Sequence, residues 1–177
     1  ANAINVLSGT TLTIDSGATI TNSGTANNFG TTTIGGLTDV TMDATNFVDS
    51  FLIQPDSDGS APTTGTLSSA TGNIGLGKDV FEDLTSGDYN VGVGFEPLKN
   101  VTSGGSNVGI GFRSLFNVQT GGSNVAVGPS ALQSCTASNS VAVGHHALYS
   151  QTSGGNNVGI GYEAGFGFDT EQYNVAV

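Results

Sequence analysis

Two adjacent histidines are the first residues whose types could support chemistry. His145 and His146 directly follow a short strand-like segment. If three copies of the chain met at an axis, imidazoles from each copy could bind a transition-metal ion there. The alternative interpretation, which we favour, is two histidines on the surface or in packing contacts. We therefore assign no metal to this pair and expect no cofactor.

Acidic residues provide two candidate calcium sites. Asp56-Ser57-Asp58-Gly59 is similar to the start of a calcium-binding loop, but the rest of the EF-hand pattern and its terminal Glu are missing. A second acidic cluster comprises Asp79, Glu82, Asp83 and Asp88. For both groups we favour solvated turns over cation sites.

Paired carboxylates are the usual machinery for cleaving polysaccharide. The best local group here comprises Glu163, Asp169 and Glu171. No pair of acids recurs at fixed positions along the chain, as a repeated catalytic cleft would require. We therefore expect no enzymatic activity.

A repeated unit organises the chain from residue 73 onward. The unit reads Asn, an aliphatic residue, Gly or Ala, an aliphatic residue and, in its complete copies, Gly. Its seven copies begin at Asn73, Asn90, Asn107, Asn124, Ser140, Asn157 and Asn174, and the seventh is cut off. Position 5 is always glycine, namely Gly77, Gly94, Gly111, Gly128, Gly144 and Gly161. The intervals of 17, 17, 17, 16, 17 and 17 residues are too regular for chance and indicate a repeat architecture.

Each repeat predicts a strand, then a short helical turn, then a tight turn. Positions 2 and 4 are aliphatic with a small residue between them, which is the period-2 pattern of a strand. Position 9 is Phe81, Leu98, Leu115, Leu132 and Leu148, with Gly165 breaking the pattern. Position 12 is mostly apolar, with Gln151 the exception. Apolar residues three apart predict one helical turn that faces the core.

A single repeat contains only about four apolar side chains, too few for a core of its own. Repeats must therefore stack on one another or on other chains. Stacking at about 4.8 Å would bring the position-1 asparagines into register, where their amides can form a hydrogen-bonded ladder. Ser140 replaces Asn in the one shortened interval. We therefore predict a local irregularity at Ser138–Ser140.

The first 72 residues differ from the repeats. Residues 1–34 show a period of seven or eight residues and sparse apolar positions, which favour a narrow β shaft whose core is shared between chains. Residues 35–72 predict a connector with a small packed knot and an exposed loop. The 17-residue repeats then occupy 73–177.

Composition limits the possible partners. The 177 residues include 14 acidic residues against three Lys and Arg, which gives a net charge of −11. Binding to nucleic acid requires clustered positive charge, so we exclude it. The sequence has no apolar run long enough to span a membrane.

The repeats resemble those of phage tail-fibre and related surface-fibre proteins, with the pattern N-V-A-V-G-x-x-A-L-x-x-x-T-S-G-x-x. The segments 124–132 and 140–148 are the copies most similar to it. A looser resemblance links them to the heads of trimeric autotransporter adhesins. The resemblance carries no catalytic residue over.

This resemblance implies an all-β, elongated and repetitive homotrimeric fibre, either a β-solenoid or a triple β-helix. It implies a structural segment of a phage tail fibre in the virion, in contact with other tail proteins and supporting attachment to a host-surface glycan or protein. The alternatives are a bacterial cell-surface adhesin or extracellular filament and, less favoured, a polysaccharide-degrading tailspike. A self-contained solenoid formed by one chain is the structural rival.

Exposed rings are the remaining candidate binding groups. They occur at position 6 as Phe95, Phe112 and Tyr162, and at position 10 as Phe116, Tyr149 and Phe166. Such rings could stack on sugars or pack on a partner. We favour packing between chains.

Overall fold

The fold was obtained as a computed structural model, which describes residues 40–44, 46–54 and 64–177. The predicted shaft (1–34) and the Asp56–Gly59 loop lie outside these residues. The first two strands, β1 (Val40–Ala44) and β2 (Phe47–Ile53), pair antiparallel as a hairpin.

Eight further strands of two or three residues follow along the chain. They are β3 (Ala70–Thr71), β4 (Ile74–Leu76), β5 (Val91–Val93), β6 (Val108–Ile110), β7 (Val125–Val127), β8 (Val141–Val143), β9 (Val158–Ile160) and β10 (Val175–Ala176). Each strand from β4 to β9 coincides with positions 2–4 of a repeat, and β10 covers positions 2 and 3. The predicted strand segment is therefore confirmed.

One sheet contains all ten strands, in the order β1-β2-β4-β5-β6-β7-β8-β9-β10, with β3 beside β2. From β2 onward the pairing is parallel, and each strand aligns with the same positions of the next repeat, as Val91 does with Val108 and Gly92 with Gly109. One repeat therefore makes one coil. The chain forms an all-β solenoid of about six coils, in which every described strand pairs within the same chain.

The core is a narrow column of small and aliphatic side chains. Gly or Ala at position 3, the residue at position 8 and the residues at positions 9 and 12 point inward. The fully buried aliphatic and aromatic side chains of 73–177 include Val80, Phe81, Leu84, Leu98, Val101, Leu115, Val118, Leu132 and Leu148. Each coil thus buries its own apolar residues, which the single-chain solenoid requires.

The segment from position 6 to position 12 turns without forming a helix. The N–H of Val101 donates to the carbonyl of Leu98 (3.2 Å), but Leu98 has a left-handed backbone with φ 52°, and Glu96 at position 7 has φ 56°. A right-handed helix requires negative φ. The predicted helical turn is therefore not confirmed, and a series of tight turns takes its place among the described residues.

Left-handed backbone costs about 1–2 kcal/mol at a residue other than glycine. Stacking between coils offsets this cost. The N–H of Leu98 donates to the carbonyl of Ser114 in the next coil (3.0 Å), and the N–H of Leu115 donates to Ala131 in the coil after that (3.0 Å). Because these bonds need the neighbouring coil, the turn conformation depends on stacking and is not a local property of the repeat.

The hairpin strand β2 begins the solenoid within the expected connector. Leu52 pairs with Gly75 of β4 and lies fully buried, so it fills the interior where later coils have Gly or Ala. Ser50 takes the place of the position-1 asparagine, and its Oγ accepts a hydrogen bond from the N–H of Asn73 (2.8 Å). The end of the core is therefore closed by a larger side chain.

None of the segments that the structure describes forms a helix long and apolar enough to cross a membrane.

Candidate functional site

The position-1 asparagines form a ladder inside the solenoid, which Ser140 interrupts in the fifth repeat. Asn90 Oδ1 accepts from both the backbone N–H and the Nδ2 of Asn107, each at 3.1 Å. Asn107 Nδ2 also donates to the carbonyl of Gly121 (2.9 Å), and its Oδ1 accepts from the N–H and Nδ2 of Asn124. Each buried amide thus closes its own coil and joins it to the next, as buried polar groups require. The predicted ladder is confirmed.

The glycines at position 5 form a second ladder. Their φ values lie between 124° and 136°, a region that other residues rarely enter. A Cβ on Gly128 would lie 2.6 Å from the carbonyl oxygen of Gly144, and one on Gly144 would lie 2.3 Å from that of Gly161. The invariant glycine therefore allows both the corner of the coil and the close approach of the next coil.

The predicted irregularity is a turn shortened by one residue. Asn124 Nδ2 donates to the carbonyl of Ala137, 13 residues on, whereas the corresponding bond of Asn107 spans 14. The Ser138 hydroxyl accepts from the N–H of Gly122 (3.0 Å), which ties the short turn to the previous coil. Val125 and Val141 still align, so the sheet register continues across the change.

A buried glutamine completes the ladder at this coil. Gln151 Nε2 donates to the Ser140 Oγ (2.8 Å), and Gln151 Oε1 accepts from Asn157 Nδ2 (3.3 Å). The same Nε2 lies 3.7 Å from the Sγ of Cys135, whose thiol pKa burial raises to about 11. The sequence marked Ser140 and Gln151 as separate exceptions and did not connect them. The signal that could have connected them is that both exceptions occur in the same repeat, 140–156.

The two candidate metal-binding histidines stack on each other, with ring centroids 3.8 Å apart. His146 Nδ1 lies 3.9 Å from Glu163 Oε1, and its ring also contacts Tyr149 and Phe166. Among the residues that the structure describes, no three His, Cys, Asp or Glu side chains are placed to hold a metal ion. An axial site shared between chains, the interpretation that we did not favour, is not tested by a single chain.

A lysine lies within the acidic cluster. Lys99 Nζ is 2.8 Å from Glu82, 3.2 Å from Glu96 and 3.4 Å from Asp79. The hydrogen bond with Glu82 raises the pKa of Lys99. Burial raises the pKa of Glu96, but hydrogen bonds from Arg113 and Lys99 outweigh it and leave that pKa below its usual value. A single ammonium group therefore pairs with three carboxylates and offsets part of their charge.

The three candidate catalytic acids are divided between two parts of the last complete coil, with Asp169 and Glu171 in one turn and Glu163 outside it. Backbone N–H groups, first that of Glu171 itself and then that of Asp169, lower the pKa of the Glu171 carboxyl. Thr152 Oγ1 donates to the Asp169 carboxylate in the same turn, whereas Glu163 lies beside His146. Two of the three acids therefore serve as hydrogen-bond acceptors in a turn. The expectation of no enzymatic activity stays a prediction.

The rings at positions 6 and 10 stack along the solenoid. Phe95 and Phe112 are 5.7 Å apart, and Tyr149 and Phe166 are 5.3 Å apart and nearly coplanar. The Arg113 guanidinium lies 5.1 Å from the Phe112 ring. Because the faces of the stacked rings pack against rings of neighbouring coils, mainly the ring edges face outward.

The outer face of the sheet is apolar over its whole length, and aliphatic except at Phe51. We call it the strand face. It consists of position 2 (Phe51, Ile74, Val91, Val108, Val125, Val141, Val158, Val175) and position 4 (Ile53, Leu76, Val93, Ile110, Val127, Val143, Ile160, Val177). The exposed fraction is 39% for Ile110 and 46% for Ile160. Alternation in the sequence predicted two faces, but it did not determine that the aliphatic one faces outward.

Comparison of the chain with protein-family models, curated proteins and solved structures finds no match. Function is therefore argued from the residues and the coil geometry.

Proposed function

We propose that this chain is a structural segment of a phage tail fibre. It acts as a homotrimer in the virion, outside the cell, joined to other tail or fibre proteins. Its role is to provide length and rigidity and to support attachment to a host-surface glycan or protein. It uses no cofactor and performs no catalysis.

The observation that carries this proposal is the unbroken parallel register from β2 to β10. Eight strands in this register extend roughly 34 Å at about 4.8 Å per coil. The asparagine and glycine ladders repeat at the same interval, so each added repeat lengthens the rod without changing its cross-section. This geometry suits a protein whose role is to span a distance as a rigid rod.

The repeat pattern and the charge also support a fibre. The N-V-A-V-G repeats resemble those of tail fibres, and the net charge of −11 opposes non-specific association with nucleic acid.

Light scattering and electron microscopy test the proposal. A purified chain of 17.6 kDa should show a mass near three chains, and antibodies against it should decorate virion tails. Decoration of bacterial envelopes in place of virions would favour the adhesin or filament alternative. Release of reducing sugar from host polysaccharide would instead indicate a tailspike.

A further inference from the structure

We propose that copies of this chain associate side by side through the strand face, with their coils level. The inference deepens the proposed function, because it names the surface that joins the copies of the fibre. It also assigns the interchain core to the aliphatic columns at positions 2 and 4, and it places the stacked rings at the border of that core.

The size of the strand face fits an interface. Eight strands and two outward side chains per strand cover roughly 34 Å by about 12 Å, or about 400 Å² in projection. Apolar patches of this size on a monomer are often functional. A standard interface buries about 800 Å² per partner. The strand face supplies about half of that area, and the exposed rings of Phe95, Phe112 and Tyr162 border it.

The distribution of charge points to a second copy as the occupant. Each chain carries −11, so copies repel one another unless they meet where charge is absent. The eight acidic residues of 73–177 occupy positions 7, 10, 11, 13, 15 and 16. None lies at positions 1–6. The strand face is therefore the side of the coil on which identical chains can approach.

The spacing of side chains along the strand face is the same in every copy of the chain, so two copies can match along their length. Aligned strands such as Val108 and Val125 recur once per coil, so a parallel copy presents its side chains at the same interval along the whole rod. β-Branched side chains on two flat faces with equal spacing can interdigitate continuously, as stacked sheets do. A globular partner would match this spacing only locally.

Substitution of outward-facing residues tests the inference. Ile110→Lys with Val143→Lys places two ammonium groups on the strand face, whereas Thr120→Lys with Ser153→Lys adds the same charge at position 14 of two coils, where both residues are exposed. By light scattering, we expect the first variant to have the mass of one chain and the control to keep the multichain mass of the wild type. Circular dichroism verifies that both variants fold.

A labelling experiment keeps the test independent of folding defects. A spin label on Ile110→Cys should report short distances between copies, and a label on Thr120→Cys should report longer ones. If wild type is multichain but the Lys pair leaves its mass unchanged, or the two labels give equal distances, the strand face is not the interface, while the fibre proposal survives. A wild-type mass of one chain would overturn the inference and the homotrimer together.

Discussion

Gln151 hydrogen-bonds to Ser140 and provides the side-chain amide that position 1 of the fifth repeat lacks. In the other repeats, a single asparagine at position 1 provides both the backbone N–H and the side-chain amide of the ladder. Here the two functions are divided between residues 11 positions apart, joined by the 2.8 Å bond from Gln151 Nε2 to Ser140 Oγ. The shortened turn before Ser140 and the polar residue at position 12 therefore belong to one local rearrangement that accommodates serine at position 1.

Exchanging this pair for the usual repeat residues should show energetic coupling. Gln151→Leu removes one hydrogen bond from the buried Ser140 hydroxyl and one from the buried Asn157 amide, so we expect a loss of about 1–3 kcal/mol in the free energy of unfolding. Ser140→Asn alone should also destabilise, because Gln151 occupies the space. The double variant should recover stability, which a double-mutant cycle by urea denaturation measures. Additive losses would contradict the coupling.

Removing one amide from the middle of the asparagine ladder should destabilise the solenoid strongly. Asn107→Ala removes donors to Asn90 and Gly121 and leaves the buried N–H of Asn124 without an acceptor. We expect a loss of about 2–4 kcal/mol, from several hydrogen bonds with one buried donor unsatisfied.

Asn117→Ala is the matched control, since this half-buried residue accepts a single side-chain bond from Asn100 (3.0 Å). Its loss should stay below about 1.5 kcal/mol by thermal or urea denaturation. An equal effect of the two substitutions would show that the ladder contributes no special stability.

A methyl group at the glycine corner should prevent adjacent coils from stacking. At Gly128 the backbone has φ 132°, and an added Cβ would meet the carbonyl oxygen of Gly144 at 2.6 Å. The strained backbone alone costs about 1–3 kcal/mol, and the contact adds to that cost. Gly128→Ala should therefore lower the midpoint of thermal unfolding markedly. Gly167→Ala, where a Cβ meets nothing within 4 Å, should have little effect.

Acid should weaken the solenoid partly through Glu96. The Arg113 and Lys99 hydrogen bonds hold its folded-state pKa below the usual value, so its ionised form stabilises the fold above the unfolded pKa. That contribution is lost as the pH falls from the unfolded value of about 4.3 through the lower folded value. Urea midpoints between pH 6 and 3 should fall less steeply for Glu96→Gln than for wild type. Parallel curves would contradict this role.

The sequence by itself determined the repeating strand and its stacking, but not whether each coil closes within one chain. The asparagine, alternating aliphatic residues and glycine at a 17-residue interval predicted stacked strands, an amide ladder and an all-β repeat. The 16-residue interval located the irregularity at Ser140. These inferences succeeded because repetition forces equivalent residues into equivalent environments, so a pattern along the chain becomes a column in space.

Only the tertiary structure decided how the coil turns and which way it faces. A leucine such as Leu98 suggests a helical turn, but the bond from its N–H to Ser114 in the next coil holds a left-handed backbone that local propensity disfavours. The alternation of Val108, Gly109 and Ile110 is the same whichever face is buried. The inward choice follows from the narrow core, where the leucines at position 9 of four coils, and Phe81 in the first, leave room only for Gly or Ala. Contacts between coils, which no single repeat encodes, therefore fixed the turn. Packing within each coil fixed the outward strand face and the partnership of Gln151 with Ser140.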